Sequence, residues 1–263
     1  MIEFGMPAMI ELESIEESAA LCAELGLSFL ELNTNFPAQQ PHLLDPDALN
    51  RIAEQYGIGY TIHLNDEMAV ADFSPSVAAG YRQAVLETIA FAKKINAKKL
   101  NMHISEGAHY TMPDRIVYFY EAYQDEFLKG MAAFRDACED AISDSGITIC
   151  MENSKAYYPF QKAALDVLLQ SKVFCLTLDI GHNFCSGYVD EDWILARSNR
   201  LKHMHMHDAK EKNKDHLPLG TGEMDILRYI NIALDCDCSV VLEVKTVAGL
   251  RASVEWLKKS CFI

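Results

Sequence analysis

Short apolar runs alternate along the chain with longer stretches of helical periodicity, and the rhythm is regular. The runs are IEFGM (2–6), SFLEL (28–32), GYTIH (59–63), KLNMH (99–103), TICME (148–152), FCLTLD (174–179), LKHMHMH (201–207) and VVLEV (240–244). Their length and period-two alternation predict β-strands. Between them, residues 14–26, 45–57, 76–96, 160–171, 190–199, 224–235 and 253–260 carry helical patterns, with a further long helical stretch inside 113–146. Several of these open on Asp or Ser and close on Gly or Asn, as helix capping requires, and Pro46 sits where a first helical residue belongs. Strand then helix, eight times, predicts a (β/α)8 TIM barrel occupying residues 1–263 as a single domain. A doubly wound open sheet is the competitor, and the count of eight argues against it.

In such a barrel, chemistry gathers at the carboxyl ends of the strands. From the second strand onward those ends carry Glu31, His63, His103, Glu152, Asp179, His205 and Glu243, all of them metal-ligand types. One such residue is ordinarily a cap or an ion-pair partner. Seven at one edge are different, because crowded carboxylates oppose folding unless a cation neutralises them. His182 lies three residues past Asp179, able to face the same pocket, and His216 lies in a Gly/Pro loop able to fold back over the mouth. The run His203, His205, His207 is not a three-histidine clamp, since residues two apart on a strand are separated by about 6.5 Å.

Composition narrows the function classes. The net charge of −15 disfavours a broad contact with nucleic-acid phosphates, though not a small anionic substrate held by a few cations. No run of about 18 apolar residues would span a bilayer, and the amino terminus lacks the pattern of a secretory signal, so a soluble, cytoplasmic protein is expected. The eight cysteines have no repeated spacing and read as reduced core residues; the Cys236–Cys238 pair alone is too weak a signal for a metal site. Lys155, Lys210, Lys212 and Lys245 follow strands five, seven and eight, where they could hold a phosphate or carboxylate, although solvated loop lysines are the simpler expectation. Among Tyr110, Tyr118, Phe119, Tyr120, Tyr123 and Phe127, helical spacing of Tyr120, Tyr123 and Phe127 predicts ordinary helix packing.

The motifs FLELN, NMH, CMEN, LDIGH, HMHMHD, HLPLGTGEMD and LEV resemble those of the xylose isomerase-like TIM-barrel superfamily, which includes sugar and sugar-phosphate isomerases and epimerases and the endonuclease IV type of abasic-site endonuclease. The resemblance covers essentially the whole chain. It implies a metal site of Glu152, Asp179, His205 and Glu243, with His205 chosen because the family's ligand lies two residues before the pair matched by His207 and Asp208. His203 is then expected deeper in the barrel and His207 with Asp208 at the rim. His182 matches a residue that contacts substrate oxygen; His63, His103, Lys155 and His216 are further candidates for substrate contact. The endonuclease-like members hold three zinc ions, and His63, His103, His182 and His216 match most of the additional ligands. The Asp expected two residues before His216 is replaced by Lys214, with Asp215 adjacent.

The resemblance thus implies a metal-dependent isomerase or epimerase of a sugar or sugar phosphate, with Glu152 and Glu243 as acid and base around an enediolate. The ion would be Mn²⁺, Mg²⁺ or Co²⁺ at a single site, or Zn²⁺ at a multinuclear one. A dehydratase of a keto-polyol on the same residues and a zinc-dependent abasic-site phosphodiesterase are the alternatives. The loops after strands two and three lack the Arg and bulky wedge that the last would need to enter a duplex. A non-catalytic barrel would need a broken acid/base pair, and neither glutamate is missing. The expected partner is a small sugar-like molecule, and a homo-oligomer is left open.

Overall fold

The eight predicted strands close on themselves in the computed structural model, which describes residues 2–212 and 214–262. We label them β1 (Phe4–Pro7), β2 (Phe29–Asn33), β3 (Gly59–His63), β4 (Lys99–His103), β5 (Thr148–Glu152), β6 (Phe174–Asp179), β7 (Leu201–Met206) and β8 (Ser239–Leu242). Each pairs in parallel with its sequence neighbours, and β1 pairs with β8, so the sheet is a closed barrel. A bulge at Leu176/Thr177 shifts the register of β6 against β7 and brings Thr177 beside His203 and Asp179 beside His205.

Alternation along the strands separates two interiors. Leu30, Leu32, Ile62, Leu100, Met102, Ile149, Met151, Leu176, Leu178, Met204 and Met206 join the apolar core under the helices. The intervening residues, among them Glu31, Thr61, His63, Asn101, Glu152, Thr177, Asp179, His203 and His205, are also buried but line a polar barrel axis. Both faces of every strand are therefore covered, as a parallel sheet demands. The apolar layer drives closure, each fully buried Leu, Ile or Met contributing about 1.5–3 kcal/mol.

The helices begin where local chemistry starts them. Ser14 Oγ accepts from the Glu17 amide ahead of Ile15–Glu24, Asp45 accepts from Asp47 ahead of Pro46–Tyr56 with Pro46 in the first turn, and Asp225 accepts from Arg228 ahead of Ile226–Cys236. Among the described residues no helix is long and apolar enough to cross a membrane.

Two departures from the sequence reading fall in the long connections. The stretch after β4 opens with an antiparallel hairpin, His109–Thr111 against Ile116–Tyr118, before the helix Gln124–Ile142. Its signal was the Pro113–Asp114 turn between β-branched residues. The helical run through Tyr120, Tyr123 and Phe127 breaks at Tyr123, whose φ of −123° and ψ of 48° are non-helical. Tyr120 nevertheless stacks on Phe127, ring centroids 4.1 Å apart, while Tyr123 turns out to solvent. The second departure follows β7, where Asp208–Lys210 and Lys214–Leu217 pair as a hairpin over the barrel mouth.

Of the cysteines, Cys22, Cys138, Cys150, Cys175, Cys236 and Cys238 are buried, Cys185 is half-buried and Cys261 is exposed; all are free thiols.

Candidate metal centre

Four donor groups meet at the carboxyl end of the barrel. Oxygens of Glu152, Asp179 and Glu243 and a ring nitrogen of His205 all lie within 4.8 Å of one another. They come from the ends of β5, β6 and β7 and from the residue following β8, and all four are buried. His205 Nδ1 stands 3.3 Å from Glu152 Oε1 and 3.1 Å from Glu243 Oε2. Neither ring nitrogen of His205 nor Glu243 Oε2 has a hydrogen-bond partner. Buried polar atoms are rarely left so, and a converging set of unpaired oxygen and nitrogen donors is what a divalent cation satisfies. The residues present fit such an ion.

Electrostatics within the set are strong. Burial alone would raise the pKa of Glu152 and Glu243, but the His205 imidazolium, joined at Glu152 by His103, holds both well below the usual carboxylate range. The same cluster acts in reverse on His205: burial opposes its charge, and the surrounding Glu152, Glu31 and Glu243 raise its pKa well above that of a free imidazole.

The remaining histidines form an inner ring. His63 Nε2 lies 3.3 Å and His103 Nε2 3.1 Å from Glu152 Oε2, and Asn101 Nδ2 donates to that same oxygen. His63 donates its Nδ1 proton to the Leu64 carbonyl at 2.7 Å. Burial would lower the pKa of His63, yet the Glu152 carboxylate outweighs it and raises it to about 9. Together with Asp66, His63 and His103 compose a second group of ligand atoms.

On the opposite side His182, His207 and His216 compose a third. Asp179 Oδ1 accepts from the His182 amide at 2.6 Å, capping the short helix Ile180–Cys185, so one carboxylate both starts that helix and faces the quartet. His207 Nε2 lies 3.1 Å from both Asp179 oxygens, and its Nδ1 accepts from the His216 amide at 2.8 Å. That amide requires a lone pair on Nδ1, which keeps the His207 proton on Nε2 toward Asp179. Gly181 leaves the space for the ring; a Cβ there would overlap it.

The rim placement expected of His207 and Asp208 is corrected: both are buried. The hairpin covers His207, and Asp208 accepts from the amides of Gly222 (2.8 Å) and Met224 (3.2 Å), tying down the following loop. His216 does fold back over the mouth, and Asp215 Oδ1 sits 2.9 Å from its Nδ1, whereas Lys214 pairs with Glu211 away from the site. His203 lies deeper, as expected, fully buried between Ser239 and Glu31. Glu31 is not brought into the quartet; it underlies His205.

Of the lysines, Lys245 reaches the quartet, its Nζ 2.6 Å from Glu243 Oε1. Lys155 instead pairs with Glu106 at 3.2 Å and is otherwise exposed. Asn101 and Asn153 escaped the sequence reading, although both sit in quoted motifs. Asn101 shares the inward face with His103 in NMH. Asn153 follows Glu152 in CMEN and exchanges two 2.9 Å hydrogen bonds with the Asp179 backbone, stitching β5 to β6.

A profile of the xylose isomerase-like TIM barrel family matches residues 19–260. The chain belongs to that family. Among relatives of this xylose isomerase-like barrel, an uncharacterized protein of Methanocaldococcus jannaschii is 23% identical over 215 residues, 79% of this chain and 80% of its own. A D-tagatose 3-epimerase-like protein superposes with a TM-score of 0.80 at 19% identity, covering 99% of this chain and 97% of that one. The 3-keto-D-glucoside 4-epimerase of E. coli gives 0.76 at 13% identity over 98% and 100%. The probable 3-DHS dehydratase of Bacillus anthracis gives 0.75 at 15% identity over 98% and 99%. At these identities the likeness is one of fold.

Proposed function

We propose that the chain is a divalent-metal-dependent epimerase or isomerase of a keto-sugar or related polyol ketone. The observation that carries this reading is the convergence of the Glu152 and Glu243 carboxylates on one unpaired nitrogen, His205 Nδ1, with Asp179 completing the set. Family membership and the epimerases and dehydratase that share the fold support it.

Glu152, Asp179, His205 and Glu243 would hold the ion. When bound there, a divalent cation polarises a substrate carbonyl and stabilises the charge that develops on it. The protein supplies the rest. Of Glu152 and Glu243, the ionised one takes the proton on the carbon beside the carbonyl as base, and the other, carrying a proton, returns one as acid, so the pair ends with its protons exchanged. Removal by one and return by the other to the opposite face inverts that carbon; return to the neighbouring carbon isomerises the substrate. His63, His103 and Asn101 fix the orientation of Glu152. His182, whose Nδ1 lacks a hydrogen-bond partner, and Lys245 are positioned to bind substrate oxygens. If the protonated glutamate gives its proton instead to the hydroxyl on the next carbon, that group leaves as water, a carbon–carbon double bond forms, and the same site is a dehydratase.

A second reading, a three-ion phosphodiesterase acting at abasic sites, is favoured by the two additional histidine groups, His63/Asp66/His103 and His182/His207/His216. Against it stands the net charge of −15.

Metal-loaded protein incubated in D₂O with a panel of ketohexoses, ketopentoses and cyclic polyol ketones should wash deuterium into the position beside the carbonyl of one class. No exchange with any of them, together with chelator-sensitive cleavage of an abasic-site duplex, would replace the first reading by the second.

A further inference from the structure

Below the quartet, a chain of hydrogen bonds runs along the barrel axis from the amino-terminal end. Lys99 Nζ donates to Ser239 Oγ at 2.7 Å, Ser239 Oγ meets His203 Nδ1 at 2.6 Å, and His203 Nε2 meets Glu31 Oε2 at 3.2 Å. Donor accounting directs both ends of the chain. The ammonium only donates, so the Ser239 hydroxyl accepts from it. The Glu31 carboxylate only accepts, so His203 Nε2 carries a proton toward it.

The two Glu31 oxygens divide their work. Oε2 takes His203 and the Thr61 hydroxyl, the latter at 3.0 Å. Oε1 faces His205 Nε2 at 3.1 Å, an ion-pair distance across which Nε2 has no hydrogen bond. Glu31 is only 2% exposed. A cation held by Glu152, Asp179 and Glu243 would meet His205 at Nδ1, which leaves the ring proton on Nε2, where the Glu31 carboxylate can only accept it. Nδ1 is then the atom presented to Glu152 and Glu243.

We propose that Glu31 is the positioning residue of the centre, holding the His205 imidazole with its proton on Nε2 so that Nδ1 is the atom offered to a divalent cation. This rests on the metal-dependent reading above. A carboxylate behind a ligating histidine fixes its tautomer and raises its basicity, and its loss typically weakens metal binding about 10–100-fold.

The test uses chelator-stripped full-length protein and Co²⁺ itself as probe, with affinity measured against a chromophoric chelator and the visible ligand-field spectrum of the bound ion recorded. Glu31→Gln, nearly isosteric, should bind Co²⁺ about 10–100-fold more weakly, with an altered spectrum. Thr61→Val keeps the carboxylate but removes one of its donors, and should weaken binding by a smaller factor of several-fold. A Glu31→Gln protein that binds within twofold of wild type with an unchanged spectrum overturns the assignment. If Glu31→Gln does not fold, wild-type affinity and spectrum in Thr61→Val overturn it. Wild-type protein that takes up no Co²⁺ defeats the metal-dependent reading itself, a separable outcome.

Discussion

His207 and His216 stack face to face, ring centroids 4.2 Å apart and planes inclined by 7°. The stack and the His216 amide together hold the hairpin after β7 down on the mouth, even though His216 is backed into a positive φ of 53°. Burial lowers the His216 pKa.

Replacing His216 by Phe therefore separates the stack from the nitrogen. His216→Phe should keep the melting temperature within a few degrees of wild type, while His216→Ala loses packing. If the single-ion reading holds, His216→Phe still binds one ion per chain by elemental analysis. A fall from nearly three ions to two would mark a His182/His207/His216 zinc site instead.

Glu152→Gln and Glu243→Gln should each lower kcat at least 10²–10⁴-fold, because each removes one partner of the proton transfer while leaving the shape of the site. Circular dichroism should show an intact barrel in both. Near-normal turnover by either variant on the true substrate would remove that carboxylate from the acid/base pair.

Metal removal should destabilise the fold, since the buried carboxylates of Glu152, Asp179 and Glu243 lose their countercharge. Re-adding an ion at 100 times its Kd contributes about 2.7 kcal/mol, a rise of roughly 5–10 °C for a chain of this size. Calorimetric scans of stripped protein with Mn²⁺, Mg²⁺, Co²⁺ and Zn²⁺ check this. Identical melting with and without every ion would count against the centre.

Glu191 anchors the segment that carries His182. Its carboxylate accepts from Arg228 Nη2 (2.6 Å), the Tyr229 hydroxyl (2.6 Å) and Asn183 Nδ2 (2.9 Å). Burial pushes its pKa up, but these donors prevail and hold it below the ordinary value of 4.5. A depressed folded-state pKa stabilises the protein above the unfolded value, and the contribution is lost as pH falls through the folded one. Urea midpoints should thus decline below about pH 4.5, and Glu191→Gln should cost about 1–3 kcal/mol at pH 7 while flattening that acid limb. A variant with the wild-type acid profile would show that Glu191 does not carry it.

Sequence by itself determined the barrel and the identity of its carboxyl-end residues. All eight strands were legible because apolar period-two runs, helical stretches and caps agreed, and each is a local property of the chain. The quartet was legible because Glu, Asp and His fell at the same depth in successive strands, so the periodicity that sets side-chain direction also set their convergence. Local pattern misled at Tyr123, where a helical spacing conceals a break, and at His207, where a strand end looked like a rim.

Tertiary structure decided the rest. That Glu31 lies behind His205 rather than beside Glu152, that Asn101 and Asn153 hold Glu152 and Asp179, and that the hairpin buries His207 all depend on distances across the barrel. Those distances follow from strand register, the bulge at Leu176/Thr177 and a long loop's path. Residue order along one strand does not encode which oxygen of a buried carboxylate faces which ring nitrogen. Only closure of the sheet brings 31 to 205 and 99 to 239, because both contacts cross the barrel interior between strands far apart in sequence.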